Sequence, residues 1–481
     1  MASLTPRSRL VVTVSRPCSA SFVWRSPTRF PHLRSLKPRQ SQDNTRQQQS
    51  PVQPDAAGYM PLNLASLGAT ASLAAVLVAR RCLGRSHRPL GFNRGFSGSA
   101  RFHERHRIAR LGLEQRPRHV LKHDKEHVLE EIVQEHELIT IARALTVPGK
   151  GLLAMDESPP TLGKRFQSIG VDNTEENRRR YRELLLSTKG LGHFISGAIL
   201  HQETVVQTTC NNRKSLLALV EQHGIIPGVK VDAGLAALQG GEPGEFWTQG
   251  LDGLKERAEF FFARGVRFAK WRAVVRVRNH SQLAIAEAAH GLGHFASICQ
   301  SSGLVPVVET EILLDGEHSI DECLEVYEAT LTAVFKALVD FDVMLEAVLL
   351  KPSMVMPGSQ GPEQADPTQV AAYTLAALRR HVPPAVPGIM FLSGGQTEVG
   401  ATLNLNAINK PTLAEPWLLS FSYSSALQGS VLATWRGCDE NQEAAQAKLL
   451  ELAEANSRAQ LGMYEPSLDE EAALAQAHLS A

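Results

Sequence analysis

Lys230, Lys270 and Lys351 each stand at the end of a short apolar run, and so do Asp156, Asp232, Glu309 and Glu311. Ser393 and Ser422 close two further runs. One lysine after an apolar run says little, because every strand must end somewhere. Three lysines and four carboxylates at equivalent places converge on one mouth if the runs are parallel strands of a single barrel. An amine among apolar residues and near other cations has its pKa lowered and becomes a nucleophile toward carbonyls. The iminium it forms is an electron sink, so the bond between the carbons α and β to it can break. One carboxylate must take the proton of the β-hydroxyl, and a second acid–base group must handle dehydration of the carbinolamine. Read without a histidine, the strand ends offer no ligand set for a metal-dependent aldol route, so neither a metal nor a cofactor is expected.

Two stretches suggest a phosphorylated substrate. Leu392-Ser393-Gly394-Gly395-Gln396 ends the seventh run, and its glycines let backbone N–H groups approach an anion. Loops after the seventh and eighth strands of a barrel are a frequent phosphate site. Asp156-Glu-Ser-Pro-Pro-Thr-Leu-Gly-Lys-Arg165 follows the first run with hydroxyls and a guanidinium.

The elements that would position these groups are legible. Eight short apolar runs occur: Gly151–Asp156, Ile195–Leu200, Ile226–Asp232, Arg267–Val274, Leu304–Ile312, Ala347–Met354, Gly388–Gly394 and Leu418–Ser424. Continuous apolar runs suit parallel strands buried on both faces. Amphipathic stretches separate them. Thr174–Leu186 reads as one helix, capped by Asn173 or Thr174, and Glu325–Phe341 and Pro367–His381 read as others, the last stopped by Pro383-Pro384. Eight alternations predict an α/β fold, a (β/α)8 TIM barrel. A doubly wound sheet would carry a G-x-G-x-x-G after its first strand, and none occurs there.

The chain as a whole has 481 residues and a net charge of +1, which hides an asymmetry. Residues 1–100 carry fourteen Lys+Arg and two acids, a balance of +12, so residues 101–481 carry −11. A basic, acid-poor head on an acidic body reads as a targeting leader. Lacking lysine runs and interleaved aromatics, the head does not read as a nucleic-acid arm. An uncharged run from Ala56 to Ala79, most apolar over Leu64–Ala79, is short and diluted for a membrane span, so no membrane contact is expected of the mature form. The expected domains are a largely disordered leader and linker over 1–135, a barrel over 136–465 and a tail over 466–481. The six cysteines form no C-x-x-C pair and suit a reducing compartment.

Gly149-Lys-Gly-Leu-Leu-Ala-Met-Asp-Glu-Ser158, Phe268-Ala-Lys-Trp-Arg272, Leu349-Leu-Lys-Pro-Ser-Met354 and Phe391-Leu-Ser-Gly-Gly-Gln396 resemble the class I fructose-bisphosphate aldolases. So do Gln249-Gly-Leu-Asp-Gly-Leu254 and Asn404-Leu-Asn-Ala-Ile-Asn409, and the likeness runs over about 136–465. Pro383-Pro-Ala-Val-Pro-Gly-Ile-Met-Phe391 and Leu314-Asp-Gly-Glu-His318 resemble the plastid branch. The resemblance implies reversible cleavage of fructose 1,6-bisphosphate, and possibly of sedoheptulose 1,7-bisphosphate, by a homotetramer in a plastid, with a mitochondrion as the lesser alternative. It implies a Schiff base on Lys351, with Glu309 as acid–base group, Glu311 beside it, Lys270 assisting and Asp156 orienting substrate. Ser393, Gly394, Gly395 and Ser422 would hold the ketose C1 phosphate. Ser158, Thr161, Arg165 and Lys230 would surround the other phosphate, with Arg272 nearby.

Four positions depart from the family pattern. Ser425 stands where the family has a phosphate-binding arginine, Thr310 where it has proline and Ala233 where it has lysine, and no tyrosine ends the chain. These departures motivate the alternative of a degenerate paralogue with a binding or regulatory role.

Overall fold

The computed structural model describes residues 133–467, apart from Asn212 and residues 411–413. The expected leader, except for its last three residues, the apolar run at 56–79 and the tail beyond 467 lie outside the described residues.

Each of the eight apolar runs coincides with a strand: β1 Gly151–Met155, β2 Ile195–Leu200, β3 Ile226–Lys230, β6 Phe268–Val275, which ends one residue past its run, β7 Val305–Ile312, β8 Leu349–Pro352, β9 Gly388–Phe391 and β10 Leu418–Tyr423. They close into one parallel barrel in the order β1-β10-β9-β8-β7-β6-β3-β2. A hairpin interrupts the alternation, β4 Leu235–Ala237 paired antiparallel with β5 Phe246–Thr248. Strands of three residues are too short to show a period, which is why the sequence does not announce them.

Side chains alternate along a strand, so each splits into an inward and an outward set. Leu152, Ala154, Ile199, Phe268, Val305, Val307, Leu349 and Met390 pack into one cluster inside the barrel. Leu138, Ile141, Ala142 and Leu145 of the helix over 133–145 join that cluster and plug one end. Leu153, Met155, Ala269, Trp271, Val308, Leu350, Ile389 and Phe391 belong to the outer layer, against the helices. Gly228 leaves room for Phe268 in the interior, for a Cβ there would stand 2.3 Å from its ring. Counting by twos from the inward set leads to Asp156, Lys270, Glu309 and Lys351 on the inner face, one step above the apolar plug.

Local chemistry sets the helix ends. Thr174 caps Glu175–Leu186 by accepting from the Asn177 N–H. Asp366 caps Pro367–His381 by accepting from the Thr368 and Gln369 N–H groups. The helix expected from Glu325 starts earlier, at Ile320, because Ser319 and Glu322 form a reciprocal capping box.

Candidate active site

β6, β7 and β8 carry the reactive groups in adjacent register. Glu309 is the Cα partner of Lys351 across β7 and β8, and of Arg272 across β6 and β7; Lys270 is the partner of Lys230 across β3 and β6. The Lys351 ammonium lies 2.9 Å from one Glu309 oxygen, and Lys270 lies 2.8 Å from the other. Lys270 also reaches Asp156, at 2.7 Å. The result is a buried row, amine–carboxylate–amine–carboxylate, with every member at most 8% exposed.

Burial pushes the Asp156 carboxyl up, but Lys270, Lys351 and Lys230 overcome it and hold it well below the usual carboxylate range. Burial likewise opposes ionisation of Glu309, and Lys270 and Lys351 outweigh it, so its pKa is lowered. Burial alone would discharge Lys270; Asp156, Glu309 and Asp232 instead hold it well above the ordinary lysine value. Lys270 is thus held as a cation between two carboxylates, and Glu309 lies between two amines.

Around this row the rim divides in two. On one side Lys230 pairs with Asp232 at 2.9 Å, Arg272 pairs with Glu311, and Ser158 and Thr161 share a hydrogen bond of 2.9 Å. Burial opposes the Arg272 charge, and Glu311 more than restores it. On the other side Ser393 lies 3.2 Å from the Ser425 hydroxyl and accepts weakly from the Ala426 N–H at 3.4 Å, at the start of helix Ser425–Trp435. Ser422 is 1% exposed and its hydroxyl has no hydrogen-bond partner among the described residues. A buried donor left open in this way suits an anion supplied by a ligand. A Cβ at Gly394 would crowd a Glu311 oxygen at 3.0 Å, and Gly395 has a positive φ of 77°.

Asp156, Lys270, Glu309 and Lys351 thus form one connected row, whereas the recorded side-chain contacts of Arg165 are not to Ser158, Thr161 or Lys230. Arg165 donates to Glu157 at 2.7 Å and to the Ser424 hydroxyl at 3.1 Å, on the eighth-strand side. Glu157 was not among the predicted site residues. One oxygen of its buried carboxylate also accepts from Ser424 at 2.5 Å and from Gln428 at 3.1 Å. The signal in the sequence was a second acid directly after Asp156, where one would do for the chemistry.

The strand-end inventory also passes over His201, which directly follows β2. Its Nδ1 accepts from the Glu203 N–H at 3.2 Å and caps the short helix Gln202–Val205. Burial, with Arg182 and Lys230 adding to it, lowers its pKa to about 4. Among the described residues no group of three His, Cys, Asp or Glu is placed to hold a metal. Thr310, between the two glutamates, points away from them by strand alternation, and its buried hydroxyl finds no partner among the described residues.

The family profile described as fructose-bisphosphate aldolase class-I matches residues 137–481. The chain is 54% identical over 336 residues to "Fructose-bisphosphate aldolase 1, chloroplastic" of Chlamydomonas reinhardtii, covering 70% of this chain and 88% of that protein. It is 56% identical over 329 residues to "Fructose-bisphosphate aldolase 2, chloroplastic" of Arabidopsis thaliana, covering 68% and 82%. A solved fructose-bisphosphate aldolase of Plasmodium falciparum superposes with a TM-score of 0.68 at 48% identity, covering 69% of this chain and 96% of that one. The barrel, the buried lysine–glutamate row and these matches together place the chain in the class I fructose-bisphosphate aldolase family.

Proposed function

We propose that the chain cleaves and forms fructose 1,6-bisphosphate through a Schiff base on Lys351. The observation that carries this reading is the 2.9 Å contact between Lys351 and Glu309, with Lys270 fixed on the other Glu309 oxygen. Passage of one proton from Lys351 to Glu309 leaves a neutral amine to attack the ketose C2 carbonyl. It also removes one of the two cations that held the Glu309 carboxyl low, so Glu309 then keeps the proton and can return it to the carbinolamine hydroxyl as water leaves. The iminium draws electrons from the C3–C4 bond. Asp156 takes the C4-hydroxyl proton as that bond breaks, releasing glyceraldehyde 3-phosphate. Protonation of the enamine at C3 and hydrolysis of the imine release dihydroxyacetone phosphate and regenerate the amine.

Ser393, Gly394, Gly395 and the open Ser422 hydroxyl receive the C1 phosphate. Ser158, Thr161 and Lys230 receive the distal one, with Arg272 holding Glu311 beside the row. No metal and no organic cofactor enters these steps. The longer bisphosphate of sedoheptulose fits the same scheme, because the reacting carbons and the C1 phosphate are unchanged. The acidic body behind a basic head, together with relatives whose names say chloroplastic, supports work in a plastid; the homotetramer rests on the family resemblance alone.

Borohydride trapping tests the central claim. Reduction in the presence of dihydroxyacetone phosphate attaches the triose to the wild-type chain, and Lys351→Met abolishes the adduct. An adduct that survives in that variant removes Lys351 from the mechanism.

A further inference from the structure

His201 directly follows β2, and the steps proposed above do not use it. We propose that its Nε2–H binds the C5 hydroxyl of the ketose, which is the C2 hydroxyl of glyceraldehyde 3-phosphate, and so selects the aldehyde half. This assignment rests on the reaction proposed above and adds to it a specificity-determining residue.

Register places the ring. Met155 pairs with Leu200, and Leu200 with Val229. One step further along the strands, Asp156, His201 and Lys230 stand abreast, and Lys230 pairs in turn with Lys270. Ile199 belongs to the cluster inside the barrel, so His201, two residues on, has the inward phase. His201 therefore stands between the carboxylate that takes the C4-hydroxyl proton and the ammonium that meets the distal phosphate. A sugar laid from Asp156 to Lys230 brings C5, which lies between C4 and the phosphorylated C6, past this ring.

Its neighbours set what the ring can offer. Nδ1 accepts from the Glu203 N–H at 3.2 Å, so the proton of the neutral ring sits on Nε2. The side chain is half-buried, and among the described residues nothing accepts from Nε2. Burial, Arg182 and Lys230 keep the ring neutral against Glu203 and Asp156, which would charge it. Glu203 is itself held by Arg178 at 2.6 Å and Arg182 at 3.0 Å. A neutral N–H donor suits a hydroxyl. A cation at this place would instead draw Asp156 into an ion pair and spoil it as a base.

The test compares two acceptors in condensation with saturating dihydroxyacetone phosphate. One is glyceraldehyde 3-phosphate; the other is 3-phosphooxypropanal, which lacks only the hydroxyl in question. His201→Phe keeps a ring and removes the donor. It should lower kcat/KM for glyceraldehyde 3-phosphate about three- to tenfold, the worth of one neutral hydrogen bond, and leave 3-phosphooxypropanal unchanged. His201→Asn keeps an oxygen to cap the Glu203 N–H but stops short of the Nε2 position, and should show the same selective loss. Equal losses for both acceptors, no loss for either, or wild-type selectivity in His201→Asn overturns the assignment, the last because it would leave His201 only its cap. If His201→Phe does not fold, the ratio of the two acceptors in His201→Asn decides alone. Condensation of the two natural trioses by the wild-type chain judges the reaction itself, so its failure is distinguishable from failure of the His201 assignment.

Discussion

At the scale of single residues, Lys270 decides the state of the site. It is the cation shared by Asp156 and Glu309, and all three are buried. Replacing it by methionine keeps the volume and leaves two carboxylates facing each other with only Lys351 between charges. Breaking a buried pair from one side costs about 3–5 kcal/mol, so Lys270→Met should unfold at clearly lower denaturant and lose turnover. The pH dependence follows from the signs. In the wild-type chain Asp156 has a depressed pKa, so it contributes stability above its unfolded value of 3.8 and loses it as pH falls toward the folded value. Without Lys270, burial wins and the carboxyl rises; the folded state then takes up protons that the unfolded state releases. Denaturant melts at pH 5 and pH 8 should therefore show the variant's deficit smaller at the lower pH. An equal deficit at both would mean that Lys270 does not set the carboxylate pKa.

At the scale of elements, the barrel seam is closed by more than strand pairing. β6 and β7 pair at eight register positions, but β1 and β10 at two, Leu152 with Ser422 and Leu153 with Tyr423. Side chains supply the rest. Ser420 donates to the Lys150 carbonyl at 2.7 Å, and helix Gln442–Gln460 laces both strands from outside. Its Gln460 amide donates to the Leu419 carbonyl at 3.2 Å and accepts from the Gly149 N–H at 2.5 Å, while Ser457 donates to the Gly149 carbonyl at 2.6 Å. Gln460→Ala leaves these backbone groups without that partner in a buried place and should cost about 1–3 kcal/mol of stability. Turnover at saturating substrate should be unchanged, since Gln460 touches none of the reacting groups. A denaturation midpoint equal to wild type would show that the seam does not depend on this helix.

At the scale of the whole molecule, charge is divided by position: the first hundred residues balance at +12 and the remainder at −11. A segment of that kind suits an import path that draws basic, acid-poor leaders. A fluorescent protein fused behind residues 1–135 should enter plastids; one that remains in the cytosol would refute the leader. Light scattering on the purified body should give four times the mass of one chain if the homotetramer holds.

The residue order alone determined the eight strands, because a strand buried on both faces needs an unbroken apolar run, and eight such runs recur. It determined the ionisable groups at their ends as well, because a barrel's strand ends are where polarity must return. Of the three expected helix starts, two were legible for a similar reason, since caps are local chemistry; the third was set too late, at Glu325, because the capping box of Ser319 and Glu322 starts that helix five residues earlier, at Ile320. The sequence did not decide which face of each strand looks inward, because both faces are apolar and either phase of the alternation reads alike. Barrel closure made that choice, and so set Lys351 against Glu309 and Lys270 between two carboxylates. Nor could spacing reveal that Arg165 crosses to Ser424, a contact between residues 259 positions apart. Such contacts depend on where the first and last strands meet, and only the closed tertiary structure brings them together.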